Sequence, residues 1–179
     1  KNNFKLQNND KVFIRSLKHD KKTQSIVNIS GAVKYAGNYS LTSAKEMVTD
    51  IIDRAGGLLP NAHPLSSKLI RNNNIISLSF QEIIRFPNSR LNFELADGDS
   101  LIIGSKTNIV FIEGEVNSPG SYQFVKGNRF NDYIDFAGGY TQEAAKSASY
   151  VVYPNGKSKR LKFARFSPLI YDGSRIVIG

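Results

Sequence analysis

The sequence predicts an α+β chain made of two similar units in tandem, each with a mixed β-sheet and one main helix. The first observation is an internal repeat, because the stretch 27–39 recurs as 110–122. The second is the order of the patterns that follow: each copy continues into a helix pattern and ends with an Asp-Gly turn before a short apolar strand. Repetition at a fixed spacing indicates repeated structural units. The identical positions are Val27 and Val110, Ile29 and Ile112, Gly31 and Gly114, Val33 and Val116, Gly37 and Gly120, and Tyr39 and Tyr122.

Each copy opens with a predicted β-hairpin. Apolar residues alternate with polar or small ones, which indicates a strand with one buried face. Gly31 and Gly114 interrupt this pattern, and a glycine inside a strand suggests a bulge or the close approach of another backbone. Pro119-Gly120 suits a type II turn, and Ala36-Gly37 is expected to form the same turn. The returning strands begin at Tyr39 and Tyr122.

A helix is predicted after each hairpin. Ser43 and Glu46 have the spacing of a capping box, so the first helix is expected over 43–55. The second is expected over about 128–137. Gly56-Gly57 and Gly138-Gly139 then end the two helices, because glycine favours the left-handed conformation just after a helix.

The remaining elements complete a β-grasp arrangement, in which one helix packs on a mixed sheet of four or five strands. A second hairpin is predicted at 68–79 and again at 150–163, the latter around Pro154-Asn155-Gly156. A short helical turn is predicted at 81–85. The closing strands end at 103 and 178, after turns that contain Gly98, Asp99 and Gly173. Residues 6–14 carry the same closing pattern, so we divide the chain into 1–24 (the end of a preceding unit and a connector), 25–104 (unit 1) and 109–179 (unit 2).

Composition excludes several classes of protein. A hydrophobic content of 40% with 11% aromatic residues is typical of a globular chain and not of a disordered one. There is no cysteine, which excludes disulfides, thiol catalysis and iron–sulfur ligation. No apolar run approaches the roughly 20 residues that span a bilayer. The chain does not begin with methionine, so we expect it to be part of a longer or processed protein.

The net charge of +9 favours anionic partners. Residues 18–22 read as a charged, solvated loop, whereas the charge in 157–165 alternates along a predicted strand. That stripe is either a solvated sheet edge that prevents aggregation or a contact for a polyanion. Its members are Lys157, Lys159, Arg160, Lys162 and Arg165.

No constellation in the sequence predicts catalysis, a metal site or a cofactor. His19 and His63 lie in different loops without a carboxylate pattern. Asp50 with Asp53, and Asp132 with Asp135, have the spacing of neighbours on a helix, which favours a solvated face over a glycosidase pair in a cleft. The double glycines follow helices and do not precede them, so they are not expected to cradle phosphate. Stacking faces for sugars are a further possibility for the tyrosines Tyr35, Tyr39, Tyr122 and Tyr140.

The ordered motifs resemble the SLBB family, whose name means soluble ligand-binding β-grasp. The resemblance covers nearly all of 26–179. Two departures from the family pattern are Ala36 in place of a proline and Ser174 in place of an aspartate. The residues that carry it are Gly31, Gly37, Tyr39, Gly56, Gly57, Gly98 and Asp99 in unit 1, and Gly114, Pro119, Gly120, Tyr122, Gly138, Gly139 and Gly173 in unit 2.

This resemblance implies a non-catalytic module of a bacterial outer-membrane protein that exports polysaccharide (capsule or exopolysaccharide). It implies a periplasmic location, self-association of the full-length protein into an oligomeric wall around the export path, and inner-membrane export components or an anionic polysaccharide as partners. One fold can carry several functions, so two alternatives stay open. One is a basic β-grasp module that binds nucleic acid, as in DNA-uptake proteins, although no nucleic acid is expected as a partner. The other, an electron-transfer subunit, is disfavoured by the absence of cysteine.

Overall fold

A computed structural model describes residues 24–161 and 167–179. Two five-stranded mixed sheets follow one another along the chain, which confirms the predicted fold class. The predicted closing strand within 1–24 lies outside the described residues, apart from the end of its connector. The same holds for the last part of the strand predicted over 158–163.

Unit 1 contains five strands and two helices. The strands are β1 (Ile26–Gly31), β2 (Gly37–Ser40), β3 (Lys68–Arg71), β4 (Asn74–Ile76) and β5 (Ser100–Ile103), and the helices are α1 (Val48–Arg54) and α2 (Phe80–Arg85). A short 3-10 turn at Pro64–Ser66 precedes β3. The order across the sheet is β2-β1-β5-β3-β4. This order places β5, the strand that closes the unit, at the centre of its sheet. The β1–β5 pair is parallel, and the other three pairs are antiparallel.

Unit 2 repeats this arrangement. Its strands are β6 (Ile109–Gly114), β7 (Gly120–Gln123), β8 (Tyr150–Val152), β9 (Ser158–Arg160) and β10 (Arg175–Ile178), and its helix is α3 (Phe130–Phe136). The order is β7-β6-β10-β8-β9, again with the first and last strands parallel. A 3-10 turn at Lys146–Ala148 occupies the place of the one in unit 1.

Each unit has its own hydrophobic core between one face of the sheet and the helix. In unit 1 the strand residues Val27, Ile29 and Leu101 are fully buried against α1, because alternate residues of a strand point to the same face. In unit 2 the equivalent core contains Val110, Ile112 and Ile176. The alternation read from the sequence therefore identifies the buried face of both hairpins.

The first helix begins later than predicted. Ser43 and Glu46 lie in the loop before α1, and the N-terminal cap is formed when the backbone N–H of Met47 donates to the Asp50 carboxylate at 2.8 Å. The predicted capping box at Ser43–Glu46 is therefore wrong. Glu46 is buried instead and accepts bonds from Thr42 and from the Arg54 guanidinium. Burial alone would raise the pKa of Glu46, but these bonds outweigh it and lower the pKa.

The predicted type II turns are also wrong. Gly37 and Gly120 have φ values of 156° and 157° and begin the returning strands, whereas the third residue of a type II turn has φ near +80°. The strands are joined by longer loops, and the loop after β6 is held by Asn117 and Ser118, whose backbone N–H groups donate to the end of α3. The turn is wide because it docks on the helix of its own unit.

The strand glycines permit a close approach of two backbones. Gly31 has φ 87° and Gly114 has φ 90°. A Cβ at Gly31 would overlap the carbonyl oxygen of Ile103, and one at Gly114 would overlap that of Ile178. The same Ile103 carbonyl oxygen accepts the Ala32 N–H at 3.0 Å. This hydrogen bond joins the closing strand to the end of β1, in the space that a side chain at position 31 would need.

We expect Gly114→Ala to destabilise unit 2 by about 3 kcal/mol, since a positive φ costs about 1 kcal/mol and overlap in a packed site costs about 2 kcal/mol more. Gly98→Ala is the matched control, because Gly98 has φ 79° but open space around its Cβ position. That variant should lose only about 1 kcal/mol. Urea unfolding of both variants measures the difference, and equal losses would contradict the role given to the carbonyl overlap.

Candidate functional site

The double glycines end the helices and also form hydrogen bonds to the hairpin loops. In unit 1 the backbone N–H of Gly56 donates to the carbonyl oxygen of Asp53, and that of Gly57 donates to the carbonyl oxygen of Ile52. These two bonds form a Schellman motif. The Gly57 carbonyl oxygen then accepts the N–H of Lys34 at 3.1 Å. Gly138 and Gly139 do the same in unit 2, where the Gly139 carbonyl oxygen accepts the N–H of Asn117 at 3.0 Å. The polar groups of this motif are therefore used within each unit.

The repeated tyrosines stabilise the hairpin loops. The hydroxyl of Tyr39 donates to the carbonyl oxygen of Tyr35 at 2.7 Å, and the hydroxyl of Tyr122 donates to that of Ser118. Both rings are half-buried against the cores. Tyr35 itself is 57% exposed, with the Lys34 ammonium 5.2 Å from its ring centroid. Of the four tyrosines proposed for sugar stacking, Tyr35 presents the most open face, while Tyr140 is half-buried beneath Lys146.

The Asp-Gly turn of unit 1 contains a buried ion pair. The Asp99 side chain has 0% exposure, and both its oxygens accept from Arg71, at 2.8 and 2.7 Å. It also accepts the backbone N–H of Ala96 at 2.8 Å, which closes the turn around Gly98. A buried carboxylate in such a fully bonded site depends on its partner, because its desolvation is otherwise uncompensated.

Unit 2 replaces this ion pair with two neutral residues. Ser174 stands where unit 1 has Asp99, and Tyr153 stands where it has Arg71. The Ser174 hydroxyl accepts the N–H of Tyr171 at 3.2 Å, and the Tyr153 ring packs edge-on against Tyr171 with centroids 5.6 Å apart. The missing aspartate therefore coincides with loss of the arginine that would neutralise it. Asp172, two residues before Ser174, accepts the N–H and hydroxyl of Thr107 in the linker between the units.

One carboxylate of each helix pair caps the N-terminus of its helix. Asp50 accepts the backbone N–H of Met47, and Asp132 accepts that of Arg129 at 2.7 Å, so both lie at helix N-termini, where the dipole favours negative charge. Asp53 and Asp135 are exposed near the other ends. Sequence reasoning placed these residues on a solvated face and missed the N-terminal bonds, although an acid at the third helical position is the usual signal for them.

Of the two histidines, His19 lies outside the described residues. His63 sits at the junction between the units, and its backbone N–H donates to Gly104 at 2.7 Å. Burial lowers the pKa of His63; the charge of Asp172 opposes this shift and that of Lys106 reinforces it. Among residues 24–161 and 167–179, no group of three or more possible ligands could hold a metal ion.

The basic stripe is only partly within the described residues. Lys157, Lys159 and Arg160 are exposed on or beside β9, the edge strand of unit 2, whereas Lys162 and Arg165 lie outside. Successive strand residues point to opposite faces, so Lys159 and Arg160 face different sides of the sheet. The described part is thus a charged rim and not a one-sided stripe.

These two units have the architecture of β-grasp domains, and comparison with known proteins assigns them to a family. Sequence models of the SLBB domain match residues 25–103 and 109–162. The chain therefore belongs to the SLBB domain family and carries two of these domains in tandem.

Relatives with a recorded role were also found. Two Escherichia coli proteins, both named polysialic acid transport protein KpsD, are each 39% identical to this chain over 62 residues. The match covers 35% of this chain but only 11% of each relative. In the described part of the chain, no helix has the length and apolar character needed to cross a membrane.

We expect Arg71→Leu to destabilise unit 1 by about 3–5 kcal/mol, because it leaves Asp99 buried without its cation. The double variant Arg71→Tyr/Asp99→Ser introduces the residues that unit 2 uses and should recover most of this loss. Urea unfolding measures both. A double variant as unstable as the single one would show that the two pairs are not interchangeable.

The lowered pKa of His63 predicts a loss of stability on acidification. The unfolded chain binds the proton first, so stability is full above the ordinary histidine value near about 6.5 and declines as the pH falls below it. His63→Gln should reduce the decline in urea midpoint between about pH 7.5 and about pH 5.5, a range in which ordinary carboxylates stay ionised. An unchanged decline would contradict the assignment to His63.

Proposed function

We propose that this chain is a non-catalytic periplasmic module of an outer-membrane polysaccharide export protein. The observation that carries the proposal is the tandem of SLBB domains together with the local similarity to proteins named for polysialic acid transport. In this role the two units form part of an oligomeric wall around the export path. Inner-membrane export components are the expected neighbours of the full-length assembly.

The bonding of the buried carboxylates supports a structural role. Asp99 pairs with Arg71, Glu46 pairs with Arg54, and Asp172 accepts bonds from the linker residue Thr107. A general acid or base needs a carboxyl group that faces a substrate in a cleft. These carboxylates instead hold the turn, the helix and the linker in place.

In the organism that encodes this chain, an in-frame deletion of residues 26–179 should abolish or strongly reduce surface polysaccharide, because the wall around the export path would be incomplete. The measurement is quantitative surface polysaccharide, with fractionation to show that the shortened protein still reaches the envelope. Unchanged polysaccharide, with the shortened protein present in the envelope, would contradict the proposal.

Self-association and location are tested with the full-length protein. We expect a ring-sized oligomer in detergent extracts of the outer-membrane fraction. A monomer confined to the cytoplasm would contradict the proposed location and wall. Titration with duplex DNA at low salt tests the nucleic-acid alternative, for which tight binding with a steep salt dependence would be required.

A further inference from the structure

A cleft lies at the junction of the two units. It encloses about 210 Å³ and is called here the junction cleft. One wall comes from the β3–β4 hairpin of unit 1 and the residues after it, and the other comes from the β8–β9 turn of unit 2. Its lining residues are Ser67, Lys68, Ile75, Ile76, Ser77, Leu78, Pro154, Asn155 and Gly156.

The linker between the units is bonded to residues of both. The backbone N–H of Lys106 donates to Asn61 at 2.8 Å, and Ala62 pairs with Ser105, so the linker is bonded to unit 1. Thr107 is bonded to Asp172 in unit 2. The five-residue linker between β5 and β6 is therefore bonded to both units.

The cleft combines an apolar surface with free hydrogen-bond donors. Ile75 is 65% exposed, and together with Leu78 and Pro154 it supplies the apolar part of the lining. Asn155 uses its side-chain oxygen to accept the Lys157 N–H at 3.1 Å, and in the described residues its amide nitrogen has no protein partner. Lys68, on the opposite wall, is an exposed lysine. It takes part in none of the ion pairs of the described residues.

Lys68 is the one charged residue among those that line the cleft. Beyond the Pro154–Gly156 turn the chain continues into Lys157, Lys159 and Arg160, all exposed and all outside the ion pairs of the described residues. A concave site with several cationic side chains at its rim raises the local concentration of anions. The occupant that fits these features carries hydroxyl groups, an apolar ring face and a negative charge.

We propose that the junction cleft binds one segment of an acidic oligosaccharide. A carboxylate of the sugar pairs with the Lys68 ammonium, a sugar hydroxyl accepts from the Asn155 amide, and the C–H face of the ring packs on Ile75 and Pro154. This inference rests on the proposed function and adds to it a site of contact with the exported chain. Because both units build the cleft, either unit alone would lack half of it.

The test uses the whole 179-residue chain, a sialic acid oligomer as probe and a neutral dextran oligomer of similar length as comparison. We expect the acidic oligomer to bind, with NMR shift changes centred on 67–78 and 154–156, and the neutral one to bind at least about tenfold more weakly. Lys68→Gln should weaken acidic binding about tenfold, since it removes a charge-assisted bond. Lys45→Gln, an exposed lysine in unit 1 that does not line the cleft, should change it less than twofold.

A second pair of variants separates the cleft from general charge attraction. Ser77→Trp places a large ring in the cleft and should abolish binding without changing the net charge. Ser121→Trp, on an exposed strand position of unit 2, should bind like the parent chain. No binding of the acidic oligomer, equal losses in Lys68→Gln and Lys45→Gln, or full binding by Ser77→Trp would each overturn the inference.

The deletion experiment distinguishes failure of this inference from failure of the proposed function. If deletion of 26–179 abolishes surface polysaccharide but the chain binds no acidic oligomer, the export function stands and the cleft assignment is wrong. If the cleft variants behave as expected and the deletion leaves polysaccharide unchanged, the binding site stands and the export function is wrong. Displacement of the sugar by duplex DNA at low concentration would also overturn the assignment.

Discussion

The structure of each unit depends on the parallel pairing of its last strand with its first. β5 and β10 enter the centre of their sheets, and the carbonyl oxygens of Ile103 and Ile178 reach the positions where side chains would stand on Gly31 and Gly114. The closing strand also pairs with the second hairpin of its unit. Its residue Leu101 in unit 1, or Ile176 in unit 2, is fully buried in the core. A parallel pair needs a long connection, which the helix and second hairpin provide.

The two units use one backbone arrangement with different polar contacts. Unit 1 uses charged pairs, Arg71 with Asp99 and Arg54 with Glu46. In unit 2 a fully buried tyrosine, Tyr133, occupies the helix position of Ile51, and its hydroxyl accepts the Val125 N–H at 2.9 Å. Most buried polar groups in proteins are hydrogen-bonded, and the two units satisfy theirs with different residues. The identical residues of the repeat are therefore those that set backbone conformation and the core, while the residues that pair inside the units differ.

The shared motif residues and the surfaces outside them have different roles. The motif glycines and tyrosines form helix ends, turns and strand contacts inside the units, so their contribution is to the fold. Two surfaces lie outside these shared motifs: the edge strand β9, with its exposed cations, and the cleft at the junction of the units. In a protein that binds by its surface, such positions set the charge and shape that a partner meets.

The sequence by itself determined the repeat, the buried face of the hairpins and the helix ends at Gly56 and Gly138, because these follow from local periodicity and from the few residues that accept a positive φ. It did not determine the start of α1: Glu46 matched a capping signal, but its tertiary contact with Arg54 draws it into the core. Nor did it show that Ser174 and Tyr153 occupy the positions of Asp99 and Arg71, or that the β3–β4 hairpin and the Pro154–Gly156 turn line a cleft. Those residues are distant in the chain, and only the packing of strands and linker brings them together.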